Sequence, residues 1–89
     1  MQGSYHVSLP RRVLRGLQRL PRQDVERLWR AVRLLQANPF PPGCAKLRGS
    51  DDLWRVRVGD YRIIYQVNTT NRTVNIAAIR HRREAYQAL

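Results

Sequence analysis

The sequence predicts a two-layer α+β protein in which an N-terminal α-helical hairpin packs on a small antiparallel β-sheet. Apolar residues recur at helical spacing between residues 10 and 36, and apolar and polar residues alternate as in strands between residues 53 and 80. Short turn-forming segments separate the alternating runs. The 89-residue length allows one domain with a modest core, so we assign residues 1–89 to a single domain.

The first predicted elements are a short strand and a helix. Residues 5–9 alternate weakly and favour β-structure, and Pro10 ends this strand while fitting the first turn of a helix. Pro21 breaks that helix. Between the two prolines, the apolar residues at helical spacing are Val13, Leu14, Leu17 and Leu20.

A second helix is predicted over residues 22–36. Asp24 and Glu26 complement the positive charge of its N-terminal end, and Asn38-Pro39 ends it ahead of a Pro-Gly-rich connection. Because the break between the two helices is short, we expect an antiparallel hairpin with one shared core. The apolar stripe of the second helix comprises Val25, Leu28, Trp29, Val32 and Leu35.

Three strands are predicted in the second half of the chain, over residues 53–58, 61–67 and 73–80. The segments between them, 59–60 and 68–71, are rich in turn-forming residues, so the three strands should form an antiparallel meander. An apolar face is then available for the helices to cover. On the last strand, the predicted contributors to this face are Val74, Ile76 and Ala78.

The chain is strongly basic and its arginines alternate along the strands. Seventeen basic residues against six acidic ones give a net charge of +11, which favours a polyanion or an acidic protein as partner. Because successive side chains of a strand point to opposite faces, Arg55 and Arg57 share one face of the sheet. Guanidinium groups bind phosphate through paired hydrogen bonds, so this face is a candidate phosphate-binding surface.

The sequence offers little for other chemistries. Its one cysteine, Cys44, has no neighbouring histidine or acid, and there is no Cys/His cluster with the spacing of a metal site. We therefore expect neither a metal nor a cofactor. No apolar run has the length of a signal peptide or a membrane span, which predicts a cytoplasmic protein without a membrane partner.

Four segments in order carry a resemblance to a known family: Lys46-Leu47-Arg48-Gly49, Trp54-Arg55-Val56-Arg57-Val58, Gly59-Asp60-Tyr61-Arg62-Ile63-Ile64-Tyr65 and His81-Arg82-Arg83-Glu84-Ala85-Tyr86. The chain resembles the RelE/ParE superfamily of bacterial and archaeal toxins, and its RelE-like branch in particular. The resemblance implies two helices on an antiparallel sheet. It also implies a partner antitoxin that holds the toxin inactive.

RelE-like members cleave messenger RNA in the ribosomal A site without a metal, whereas ParE-like members poison DNA gyrase. The resemblance implies that Arg62 and Arg82 contact the scissile phosphate and that Tyr86 lies near the reaction. Arg55 and Arg57 occupy positions where RelE-like toxins often carry lysine. Further RNA or phosphate contacts are expected from Lys46, Arg48 and Arg83.

Metal-free RNA cleavage needs a base for the 2′-hydroxyl, stabilisation of charge at phosphorus and an acid for the leaving oxygen. Arginine suits the second task, but it holds its proton at neutral pH, so Arg55 and Arg57 would be poor bases. His81 is a candidate acid or base, and a phosphate or stacking contact is the alternative for it.

The predicted function is that of a type II toxin, a metal-independent endoribonuclease acting on messenger RNA in the 70S ribosome. Three alternatives remain open from sequence. The chain could be a ParE-type gyrase inhibitor, a nucleic-acid-binding module, or a toxin that has lost its catalytic base. The arginine-rich outer faces of the helices are either solvated or a second RNA-contacting surface.

Overall fold

The computed structural model describes residues 4–83, which form two helices packed on one face of a five-stranded sheet. The order of the strands across the sheet is β1-β5-β4-β3-β2. The two-layer α+β prediction is confirmed. In chain order the elements are β1 (His6–Ser8), α1 (Arg11–Gln18), α2 (Arg22–Ala37), β2 (Ala45–Lys46), β3 (Leu53–Val58), β4 (Tyr61–Asn68) and β5 (Thr73–His81).

The sheet is mixed rather than wholly antiparallel. Strands β3, β4 and β5 form the predicted antiparallel meander, but β1 runs parallel to β5, with His6 opposite Thr73. No tight turn joins β1 to β5, so turn chemistry could not predict their relative direction. The two-residue strand β2, antiparallel to β3, is too short to produce an alternating pattern and was not predicted.

The core lies between the helices and the sheet. Both helical stripes contribute to one cluster. Leu14 of the predicted α1 stripe is 37% exposed, because Val13 and Leu17 form the buried line of α1 and Leu14 lies to one side of it. Within residues 4–83, no helix has the length and apolar character needed to cross a membrane. The buried core residues are Val13, Leu17, Leu28, Val32, Leu35, Ile63, Tyr65, Val74 and Ile76.

A β-bulge changes which residues of β5 face the core. The register between β4 and β5 shifts at Ile64/Tyr65, because Tyr65 lies opposite Ile76 whereas Ile64 lies opposite Ala78. Ala77 is the extra residue, and its carbonyl accepts a hydrogen bond from Arg12 Nη2 (2.7 Å). The prediction for Ala78 was therefore wrong. Ala78 lies on the face away from the helices, and Ile79 packs against the core in its place.

Tyrosine hydroxyls join the sheet to the helical layer. Tyr61 donates a hydrogen bond to Oδ2 of Asp24 in the first turn of α2 (3.0 Å). Tyr65 donates to the carbonyl of Pro39, just after α2 (2.8 Å), and burial raises the pKa of its hydroxyl above the usual value. These bonds fix both ends of α2 relative to β4.

Candidate nucleic-acid interface

Three arginines lie side by side on the sheet face opposite the helices, which we call the open face. Residues directly opposite each other on paired strands share a face. Arg57 of β3 lies opposite Arg62 of β4, which in turn lies opposite Arg80 of β5. We call these three residues the arginine row.

The arginine row concentrates like charge, and within residues 4–83 none of its members forms an ion pair. Like charges directly opposite each other destabilise a sheet, so the row has an unfavourable contribution to folding. The ion pair found among residues 4–83 lies in the helical layer, where Arg22 contacts Glu26 on α2 (3.6 Å). An arrangement of this kind is complementary to the oxygens of a bound phosphate.

A cleft of about 210 Å³ adjoins the row, lined by Arg57, Gly59, Asp60, Arg62 and Arg82. Gly59 and Asp60 form the tight turn between β3 and β4, and Gly59 has a φ of +60°, which favours glycine. Beyond the end of β5, the backbone N–H of Arg82 donates to the carbonyl of Asp60 (2.7 Å). This bond holds Arg82 beside the turn, so three guanidinium-bearing residues converge on one cleft.

The structure thus brings together three of the predicted site residues, Arg57, Arg62 and Arg82. Arg55 lies on the same open face, opposite Ile64 and next to the row. The arrangement can bind a phosphate and stabilise added negative charge on it. No group of three or more His, Cys, Asp or Glu side chains suited to a metal ion occurs within residues 4–83.

His81 lies apart from the row. It is opposite Tyr61 on the side facing the helices, and the two rings meet edge to face with their centroids 5.1 Å apart. Its Nδ1 accepts a hydrogen bond from the backbone of Arg83 (3.2 Å). His81 and Arg83 line a neighbouring hollow with Asp60 and Arg82, so the role of His81 in proton transfer stays a prediction.

Lys46 and Arg48, two further predicted residues that the structure describes, do not line the cleft. Lys46 lies opposite Trp54 on β3, with Nζ 5.7 Å from the centroid of the Trp54 ring, and it donates to the carbonyl of Asp51 (3.2 Å). Arg48 is exposed in the loop between β2 and β3. Tyr86 lies outside the described residues. The RNA-binding roles of Lys46 and Arg48 and the reactive position of Tyr86 remain predictions.

Arg80 is a member of the row that sequence analysis missed. Uninterrupted alternation along the last strand would place residue 80 on the same face as Ile76, towards the helices. The bulge at Ala77 reverses the alternation and turns Arg80 to the open face beside Arg62. A signal for the bulge was present in Ile76 and Ile79, since two large aliphatic residues three positions apart cannot both face the core of a regular strand.

Comparison with known proteins agrees with this geometry. The model of the ParE toxin family of type II toxin–antitoxin systems (parDE) matches residues 7–86. The chain belongs to this toxin family. The toxin is also 33% identical over 86 residues to RelE1 of Methanocaldococcus jannaschii, an alignment that covers 93% of this chain and 96% of the relative.

Two solved structures extend the comparison to the fold. RelE in the archaeal RelE–RelB complex of Pyrococcus horikoshii matches the toxin with a TM-score of 0.79 and 33% identity, over 89% of this chain and 96% of that chain. The RelBE2 toxin–antitoxin complex of Mycobacterium tuberculosis matches with a TM-score of 0.78 and 25% identity, over 89% of this chain and 99% of that chain. The predicted RelE/ParE resemblance and the RelE-like fold are confirmed.

Proposed function

We propose that the toxin is a ribosome-dependent endoribonuclease, which cleaves messenger RNA in the A site without a metal and so inhibits translation in the cytoplasm. The convergence of Arg57, Arg62 and Arg82 on one cleft carries this proposal. The similarity to RelE proteins supports the RelE-like activity over other uses of a basic surface. In this assignment, the open face binds the messenger backbone and the cleft receives the scissile phosphate.

The arginines supply charge stabilisation. When the 2′-oxygen attacks phosphorus, negative charge builds up on the phosphate oxygens, and preorganised donors at that position lower the barrier. Arg62 is central because it lines the cleft and lies between Arg57 and Arg80 in the row. Arg82 lines the same cleft and adds a third guanidinium. In this proposal Arg55 binds the adjoining messenger backbone, and Tyr86 stacks on a base or positions the sugar.

Proton transfer is the weak part of this site. The described cleft contains arginines and Asp60, but arginine does not release its proton at neutral pH. Binding in the A site would align the 2′-oxygen with phosphorus, and alignment of this kind can contribute about 7–11 kcal/mol. We therefore expect slow cleavage of free RNA and much faster cleavage on the ribosome. His81, which lines the neighbouring hollow with Arg82, stays the candidate acid or base.

An antitoxin is the second expected partner. Both of the solved relatives above are complexes, RelE with RelB in one and a toxin with its antitoxin in the other. The net charge of +11 favours an acidic partner chain, which would neutralise the arginines and stabilise the folded toxin.

The deciding experiment maps cleavage sites by reverse transcription of a defined messenger on programmed ribosomes. Wild-type toxin should cut at the A-site codon, and Arg62→Ala should lower the rate by about 10²–10³ while ribosome binding changes little. The cleavage rate of Arg62→Lys should lie between those of wild type and Arg62→Ala, because lysine keeps the positive charge but lacks the planar guanidinium that binds two phosphate oxygens. Arg33→Ala is the matched control, since Arg33 is an exposed arginine of α2. Equal losses of binding and cleavage in Arg62→Ala would make Arg62 a docking residue.

Inhibition of DNA gyrase is the second candidate function, favoured by the match to the ParE family model. A supercoiling assay run beside the ribosome assay separates the two functions. An intact messenger together with blocked supercoiling would assign the toxin to the gyrase-directed class, and the reverse result would assign it to the ribosome-directed class.

A further inference from the structure

A pocket of about 400 Å³ lies between α1 and β5, on the far side of the sheet from β3, and we call it the α1–β5 pocket. Its volume falls in the range of pockets that hold small organic groups. Much of its lining is apolar and comes from both elements, with contributions from Val13, Leu17, Leu20, Ala77 and Ile79. It lies apart from the cleft, which Arg57, Arg62 and Arg82 line.

Two features of the backbone leave this pocket open. Strand β1 pairs with β5 only over Thr73–Asn75, so residues 76–81 form a sheet edge with no neighbouring strand on that side in the described part of the chain. On the helical side, Gly16 lines the pocket, and a Cβ built on it would meet no atom within 4 Å. A strand edge offers backbone donors and acceptors to a ligand. The pocket therefore combines apolar surface with hydrogen-bonding groups.

The charged side chains that line the α1–β5 pocket are arginines. Arg12, Arg19 and Arg80 are among its lining residues, and none of the described residues that line it is acidic. Arg12 is held in place because its Nη2 donates to the carbonyl of Ala77 (2.7 Å). A guanidinium has five N–H donors, so this bond leaves others for a ligand. The pocket suits a ligand that is partly apolar and negatively charged.

Arg80 connects this pocket to the phosphate-binding surface. It belongs to the arginine row, opposite Arg62, and it also lines the α1–β5 pocket. Neighbouring strands lie about 4.8 Å apart, so the row from Arg57 to Arg80 spans roughly 10 Å and ends at the β5 edge. An RNA backbone that follows the row therefore arrives at the pocket, where a base can leave the open face.

We propose that the α1–β5 pocket receives a base of the RNA strand that lies along the arginine row, at a distance from the cleaved bond. Arg80 holds the phosphate of this nucleotide, and its base packs on the apolar lining. Arg12 and Arg19 flank the base, since guanidinium planes stack on unpaired bases. Charge complementarity and continuity with the row favour RNA as the occupant. This inference rests on the proposed function for the identity of that strand.

The inference is tested with a short single-stranded RNA whose riboses are 2′-O-methylated, so that the toxin cannot cleave it. Each base is removed in turn, and the dissociation constant of each abasic RNA is measured by fluorescence anisotropy. In wild-type toxin, loss of the base that enters the pocket should weaken binding by about 5–150-fold, which is the contribution of one stacked base.

Gly16→Leu blocks the pocket without removing a charge. Leucine fills the open space at this position and forms helix better than glycine, so the variant should unfold at no lower temperature than wild type. In Gly16→Leu, removal of the base that matters in wild type should change the dissociation constant by less than about twofold. Gly16→Ala strengthens the helix in the same way but adds one methyl group, so the penalty for the abasic RNA should persist.

Equal abasic penalties in wild type and Gly16→Leu at every position would overturn the inference. Weaker antitoxin binding in Gly16→Leu with unchanged RNA binding would also overturn it and make the pocket a protein-docking site. Because the assay needs no cleavage, its result is separate from that of the ribosome assay. A toxin that cuts no messenger can still show the base-specific penalty, and one that cuts normally can lack it.

Discussion

Removal of the Tyr65 hydroxyl is expected to destabilise the toxin, chiefly through loss of its buried hydrogen bond to Pro39. Tyr65 is fully buried, and its hydroxyl donates to the carbonyl of Pro39, which is itself a buried residue (2.8 Å). In Tyr65→Phe the ring still fills its place in the core, but the carbonyl loses its partner. An unsatisfied buried acceptor costs about 1–3 kcal/mol.

This cost is large enough to measure in a domain of this size. A loss of about 2 kcal/mol corresponds to a fall in Tm of about 8–16 °C for a chain of 60–100 residues. Urea unfolding should show a lower midpoint with an unchanged slope. Tyr5→Phe is the matched control, because Tyr5 packs its ring under Arg72 while lying outside the buried core, and it should change stability by less than about 0.5 kcal/mol.

The same variant has a pH signature. Burial, with a smaller contribution from Cys44, raises the pKa of Tyr65 in the folded state above its ordinary value of about 10. The unfolded chain therefore loses this proton first as the pH rises. The stability from this group is complete below about pH 10 and declines above it, so the difference between wild type and Tyr65→Phe should narrow there. Equal urea midpoints at neutral pH, or a difference that stays constant through pH 11, would refute the reasoning.

Three further predictions concern the row, the core and the turn. Five phosphate contacts, from Arg55, Arg57, Arg62, Arg80 and Arg82, predict a slope of log K against log salt of about −3.5 for single-stranded RNA, which Arg80→Gln should reduce to about −2.8 in filter-binding assays. A slope unchanged in Arg80→Gln would remove Arg80 from the interface. Leu28→Ala should lower the free energy of unfolding by about 2–5 kcal/mol, because Leu28 is fully buried. Gly59→Ala should lower it by about 1–2 kcal/mol, since the turn needs a positive φ and Arg27 would have to move.

Most of the fold could be predicted because its elements have strong local signals. The stripe of α2 extends over several turns, and the predicted range 22–36 is one residue short of the observed helix, Arg22–Ala37. The predicted range of β3 matches its observed bounds. Helix α1 ends earlier than predicted, at Gln18. Beyond it, backbone hydrogen bonds span three residues instead of four, since the N–H of Arg19 donates to the carbonyl of Gly16 and that of Leu20 to the carbonyl of Leu17.

The site was predictable only as far as strand register could be read from turns. The two-residue turn at 59–60 fixes Arg57 opposite Arg62, and the sequence shows that turn directly. The partner of Arg62 on β5 depends on the bulge at Ala77, whose carbonyl bonds to Arg12 of α1. That contact joins residues far apart in the chain, so strand alternation alone could not place Arg80.

The position of β5 has a consequence for the synthesis of the toxin. This strand lies between β1 and β4, and it supplies Val74 and Ile76 to the core, yet among the strands of residues 4–83 it is the last to leave the ribosome. Until it emerges, β1 has no partner and both helices lack part of the surface that they cover. The long sequence separation of the β1–β5 pair makes its formation a late event. A nascent chain therefore cannot assemble the Arg62–Arg80 pair, and with it the complete arginine row, before β5 has emerged.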